Sequence, residues 1–200
     1  MIWLASASPR RSTLLQQIGV PHRVRPVALD ETVQPGETPP RYVTRLAVAK
    51  AERLWSQLGA EERLPVLGSD TTVALGHQIL GKPRDQADAT DMLRRLSGQT
   101  HQVYTAVAVR HAQGCDSRLS VSDVTMRVLQ AEEIAAYWRT GEPADKAGAY
   151  GIQGMAALFI ERIAGSYSGI VGLPLFETGE LLRMTGWTLA SPPAAVEAGA

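Results

Sequence analysis

Ile2-Trp3-Leu4-Ala5-Ser6-Ala7-Ser8-Pro9-Arg10-Arg11 sets how the chain begins to fold. Ile2 to Ser6 is a short apolar run suited to a buried strand. Ser8 and Pro9 fit the N-cap and first position of a helix, where the missing proline N–H costs nothing. Leu14, Leu15 and Ile18 give that helix a buried face, and Gly19 stops it. A strand feeding a helix through small hydroxyl residues is also an anion site, because free N–H groups and the positive end of the dipole converge there. Ser6, Arg10 and Arg11 add donors shaped for phosphate oxygens. The competing reading is a capped surface helix with solvated arginines. Two cations at a helix N-terminus oppose its dipole unless an anion is bound, which favours phosphate.

Outward from this start, residues 22–29 suit a second strand ending at Asp30-Glu31-Thr32, and Pro35, Gly36, Pro39 and Pro40 make 34–40 a loop. Residues 41–58 carry Val43, Leu46, Ala47, Leu54 and Leu58 at helical spacing. Residues 65–75 read as a strand, turning at Gly76-His77 into 78–80 as a hairpin. A helix is expected over 85–96 with Gly98 as its stop. Residues 102–110 and 119–129 alternate as antiparallel strands around a polar turn. A short helix at 131–139, a glycine-rich stretch at 146–154, a strand at 156–163 and a helix at 175–184 follow. The tail from Ser191 is expected to be disordered. Alternating elements followed by hairpins argue an α/β fold with a mixed, partly antiparallel twisted sheet flanked by helices.

The chain has 200 residues, enough for one domain, or two closely joined lobes, over residues 1–190. Lysine plus arginine equals aspartate plus glutamate at 20 each, so no nucleic-acid partner is expected. Cys115 is the one cysteine, so an intrachain disulfide and a cysteine zinc site are excluded. The histidines are scattered, so a metal would be a hard one, magnesium or manganese, held by carboxylates and phosphate. The N-terminal apolar run is too short for a signal peptide, and no segment reaches membrane-spanning length. The expected location is the cytoplasm, without a membrane partner.

Three further constellations could carry chemistry. Gly68-Ser69-Asp70-Thr71-Thr72 places an acid inside an apolar strand, where it needs a partner or a metal; an edge-strand aspartate making turn hydrogen bonds is the alternative. Lys82, before Pro83, could reach phosphate, and Lys50 could either do so or lie along its helix surface. Glu31 would be a second carboxylate, completing the inventory of a metal-assisted phosphoryl-group enzyme. No Gly-x-x-x-x-Gly-Lys-Ser/Thr loop is present. In residues 145–154, three glycines suggest a tight loop approaching a ligand. Gln153 there has both a donor and an acceptor for a base edge. A structural loop with Gln153 in solvent fits the residues equally.

Taken in order, these pieces resemble the Maf family of nucleoside triphosphate pyrophosphatases. The match covers Leu-Ala-Ser-Ala-Ser-Pro-Arg-Arg at 4–11, Asp-Glu-Thr at 30–32, Leu-Ala-Val-Ala-Lys-Ala at 46–51 and Gly-Ser-Asp-Thr at 68–71. It continues with Gly-Lys-Pro at 81–83, Leu-Ser-Gly-Gln-Thr-His-Gln-Val at 96–103, Ala-Gly-Ala-Tyr-Gly-Ile-Gln-Gly at 147–154 and Val-Gly-Leu-Pro-Leu at 171–175. The resemblance implies two lobes about a cleft, a homodimer, and cleavage between the α and β phosphates with a divalent cation. It implies Asp70 as the acid–base residue, acting with Glu31 and Lys82, and Glu31 with Asp70 as metal partners. Ser6, Arg11, Lys50 and Lys82 would contact phosphate. Arg10, Thr71 and Gln153 occupy the positions tied to base choice and are similar to the branch acting on dTTP and UTP. The 7-methyl-GTP branch tends to have tryptophan, glutamine and Glu-Gly at 10, 71 and 153–154, and this chain departs on all three. Ser69 stands where alanine is common, a small change. A nucleotidyltransferase and a nucleotide-binding regulator of cell division are the alternatives.

Overall fold

The computed structural model describes residues 1–188; the expected tail from Ser191 lies outside them. Its strands are β1 (Ile2–Leu4), β2 (His22–Val24), β3 (Val66–Leu75), β4 (Gln78–Leu80), β5 (Thr100–His111), β6 (Gly114–Met126) and β7 (Ile160–Ala164). The helices are α1 (Pro9–Gln17), α2 (Pro39–Gln57), α3 (Gln86–Leu96), α4 (Ala131–Arg139), α5 (Tyr167–Val171) and α6 (Leu175–Met184). The strands form one sheet in the order β2-β1-β3-β5-β6-β7, with β4 hairpinned onto β3. β1 pairs in parallel with β2 and β3, and every later pairing is antiparallel. The mixed α/β sheet expected from the sequence is therefore the one observed.

Three apolar clusters cover the sheet. One face of its N-terminal half packs Val66, Ala106 and Ala108 under Val43, Ala47, Ala51 and Leu54 of α2. The opposite face packs Leu4, Leu67, Val107 and Val109 against Leu14 and Leu15 of α1 and Leu181 and Leu182 of α6. The far ends of β3 and β5, together with β6, run on beneath α3 and α4, where Val73, Val103, Val124, Leu93 and Tyr137 meet. Alternation of side chains along a strand sends Val66 and Leu67 to opposite clusters. A cleft of 830 Å³ opens between the start of α1, β3 and α2 on one side and residues 142–154 on the other.

Several local readings change. Pro39 and Pro40 begin α2 instead of ending a loop, as the first turn needs no proline N–H. β2 is only three residues, since beyond Val24 the chain leaves the sheet. The polar segment between β5 and β6 is almost wholly strand, paired to His111↔Gly114 with Ala112-Gln113 as the turn. Residues 155–159 form a 3₁₀ turn before β7, and α5 was not anticipated. Ser8 takes the N-cap backbone position without a side-chain cap; its own N–H donates to Ser6 Oγ at 3.2 Å.

Candidate active site

At the start of α1, Ser6 is buried and its Oγ accepts from Arg11 Nη1 at 3.0 Å. Arg11 Nε donates to the Gly172 carbonyl at 2.8 Å, and its Nη2 reaches Thr71 Oγ1 at 3.3 Å. The guanidinium is thus held as a planar fork by three acceptors, a geometry lysine cannot supply. Burial pulls its pKa below the arginine range against the pull of Asp70. Ser69 Oγ donates to the same Gly172 carbonyl at 3.0 Å. Gly172 has φ +130°, a conformation that favours glycine, and it turns that carbonyl toward both donors. Ser69 therefore matters more than its small size suggested.

Thr71 lies beneath Arg11, its hydroxyl also 3.0 Å from Thr105 Oγ1. Arg10 points the other way and meets Asp145 across the cleft at 3.6 Å. The two arginines that the sequence grouped together are divided between the two walls.

β3 brings Asp70 to the cleft floor, 6% exposed. Its neighbour Gly68 makes this possible: a Cβ there would sit 2.2 Å from the Ala47 carbonyl oxygen and 2.8 Å from Ala51 N. α2 therefore lies directly on the strand backbone, and Lys50 on that helix face reaches down to the acid. Lys50 Nζ donates to Asp70 Oδ1 at 2.6 Å and pairs with Glu31 Oε1 at 2.7 Å. With 9% exposure, Lys50 is a buried bridge and does not lie along the helix surface.

Burial raises the Asp70 pKa above the usual carboxylate range, outweighing the opposing charges of Lys50 and Arg11. For Glu31 burial pushes the same way, but the hydrogen bond and charge of Lys50, with Lys82 and Arg11, hold it below its ordinary value. Two carboxylates on one lysine are thus driven apart in basicity. Lys82 lines the cleft, exposed, and pairs with no carboxylate among the described residues.

Sequence reasoning missed Tyr42. Its hydroxyl donates to the Glu31 carbonyl at 3.0 Å, and burial with the nearby charges of Asp70 and Glu31 raises its pKa to about 12. An aromatic hydroxyl at the edge of the apolar face of α2 was the available signal.

The opposite wall is drawn from residues 142–154. Gln153 lines the cleft with its side chain exposed. The glycines of this loop make room for the chain's own atoms. A Cβ at Gly148, which has φ +70°, would lie 3.0 Å from Val73, and one at Gly154 would strike the Glu142 carboxylate at 2.2 Å.

Among the described residues no group of three or more histidine, cysteine or acidic side chains could hold a metal. Glu31 and Asp70, which meet at Lys50 Nζ, are two hard oxygen donors of the kind that would suit a magnesium-like ion. No helix among the described residues is long and apolar enough to cross a membrane.

The family described as Maf-like protein matches residues 1–185. A dTTP/UTP pyrophosphatase of Pseudoalteromonas atlantica is 53% identical over 184 residues, covering 91% of this chain and 95% of the relative. One of Aromatoleum aromaticum is 53% identical over 202 residues, covering 94% and 97%. One of Cupriavidus pinatubonensis is 55% identical over 194 residues, covering 91% and 95%. With the matched family spanning the sheet, both cleft walls and the Lys50 bridge, the chain belongs to the Maf family.

Proposed function

We propose that the cleft hydrolyses dTTP and UTP to the monophosphate and pyrophosphate. The observation that carries this reading is the Lys50 bridge, which holds a carboxylate of raised pKa on the floor of a cation-lined cleft. The relatives at 51–55% identity bear the name dTTP/UTP pyrophosphatase, which supports both the reaction and its substrates.

The triphosphate lies across the N-terminus of α1. Ser6 and Arg11 contact phosphate oxygens, and Lys50 and Lys82 neutralise charge. Asp70 accepts a proton from the attacking water through a carboxylate oxygen. The water oxygen bonds to the α-phosphorus, the bond from that phosphorus to the α–β bridging oxygen breaks, and pyrophosphate leaves. Its extra charge is met by Lys82 and Arg11. Glu31 and Asp70 would hold a divalent cation, magnesium or manganese, which polarises the phosphate when bound.

Arg10 and Gln153 face the base. A uracil or thymine edge offers two carbonyl oxygens and one N–H, which an amide and a guanidinium can match. Thr71, engaged with Arg11, influences substrate choice through the position of that guanidinium. The resemblance adds a homodimer and two lobes; the location is read as the cytoplasm, and the domain as residues 1–190. The dimer's readout is sedimentation at twice the chain mass.

A panel of nucleoside triphosphates with magnesium and pyrophosphate detection tests this function. dTTP and UTP should give monophosphate plus pyrophosphate, and Asp70→Asn should lower kcat on the order of 10³-fold. Orthophosphate as product, or an unimpaired Asp70→Asn, contradicts it. Turnover only with an acceptor would instead mark a nucleotidyltransferase.

A further inference from the structure

Residues 151–154, which carry Gln153, form a turn closed by the Gly154 N–H donating to the Gly151 carbonyl at 3.0 Å. The backbone donors at its two ends converge on one pair of side chains. The Gly151 N–H donates to the Tyr137 hydroxyl at 3.1 Å. Tyr137 in turn donates to Glu142 Oε1 at 2.6 Å. The other carboxylate oxygen, Glu142 Oε2, accepts from the Met155 N–H at 2.9 Å. Entry and exit of the turn are thereby joined through one hydroxyl and one carboxylate. The two bonds that end on the Glu142 carboxylate are the shorter ones, as carboxylate acceptors favour.

The loop is shaped to admit the pair. A Cβ at Gly154 would lie 2.2–2.3 Å from the Glu142 carboxylate, and one at Gly151 would lie 2.7 Å from the Lys146 side chain. Lys146 Nζ donates to the Glu142 carbonyl at 2.8 Å, fixing the backbone from which that carboxylate projects. Tyr137 is itself buried, packed edge-on against Phe159 at 5.2 Å between ring centroids. Gln153 has a long side chain and is exposed, so only its backbone fixes where its amide can reach.

We propose that Tyr137 and Glu142 are positioning residues for substrate recognition: they hold the Gln153 turn at the distance from the cleft floor that one pyrimidine nucleotide spans. This rests on the reading above that Gln153 meets the base. Neither side chain touches the reacting phosphate.

The test measures kcat and KM for UTP, through pyrophosphate release, in five proteins whose folding is checked by thermal unfolding. They are the unaltered chain, Tyr137→Phe, Glu142→Ala, Gln153→Ala and the double variant Tyr137→Phe/Gln153→Ala. Tyr137→Phe keeps the ring packing and removes only the hydroxyl. It is expected to raise KM about tenfold, the size of one lost hydrogen bond, with kcat within about twofold. In the Gln153→Ala background the same change should add less than about twofold, because coupled residues do not act additively. Glu142→Ala should repeat the KM effect, and it carries the test should Tyr137→Phe melt below the assay temperature. An unchanged KM in both Tyr137→Phe and Glu142→Ala, beside a raised KM in Gln153→Ala, overturns the clamp and leaves the role of Gln153 standing. An equal increase with and without Gln153 also overturns it. A normal KM in Gln153→Ala defeats the base-reading role itself, and the clamp with it.

Discussion

Asp70 and Glu31 share one lysine and differ in basicity, and the cause is depth. Asp70 sits on a central strand where burial dominates, whereas Glu31 is half in solvent and its cations prevail. His101 shows the same physics away from the cleft. It is 1% exposed, its Nε2 lies 2.7 Å from the Tyr150 hydroxyl, and burial lowers its pKa to about 4. The unfolded chain binds this proton near pH 6.5, so between pH 6.5 and 4 the unfolded state holds more protons than the folded one. The native fold should therefore keep its full stability above pH 6.5 and lose about 3 kcal/mol on acidification to pH 4. Urea midpoints taken across that range, compared with His101→Gln, measure it. The variant should flatten the slope, and an unchanged slope would place the proton elsewhere. At this scale the residue types were readable in the sequence, but their partners were not. Arg10 and Arg11 are adjacent in the chain, yet one meets Asp145 and the other is locked under Gly172. Adjacent side chains on a helix point about 100° apart, and only the tertiary fold decides what each one faces.

α2 on β3 is the element pair that makes the site. Gly68 lets the helix backbone touch the strand, and the spacing from Ala47 to Lys50 keeps the lysine on the contacting face. Gly68→Ala would drive a methyl into the Ala47 carbonyl. It should cost about 3 kcal/mol in stability, the upper end of what overpacking typically costs, because the obstacle is backbone. It should also lower kcat by lifting Lys50 from Asp70. Urea unfolding and UTP turnover check both, and a variant of ordinary stability would mean that the helix stands further off. The long, strongly periodic elements were foreseeable: α2, α3, α4 and α6 lie where apolar spacing puts them. What eluded the pattern was short or aperiodic. α5 spans five residues, and the β5–β6 hairpin is tighter than its polar residues suggest, because an exposed ladder needs no apolar face at its tip. In the glycine-rich loop, glycines read as room for a ligand proved to be room for Val73, Lys146 and Glu142. Sequence spacing does not say which neighbour fills the gap.

Over the whole molecule, β3 and β5 pass through all three apolar clusters, so neither lobe owns a complete core. Residues 1–190 should then unfold as one cooperative unit. Trp3 and Trp55 report on one lobe and Trp138 on the other. Tryptophan fluorescence and far-ultraviolet circular dichroism should give one coincident urea midpoint, and separated midpoints would mean two independent domains. The same shared strands tie Asp70 on β3 to the apolar clusters behind both walls of the cleft. The most direct measurement of the proposed chemistry is hydrolysis of dTTP with magnesium in ¹⁸O-labelled water, followed by mass spectrometry of both products. Attack at the α-phosphorus predicts the label in dTMP and none in pyrophosphate; label in pyrophosphate, or dTDP with orthophosphate as products, would contradict it.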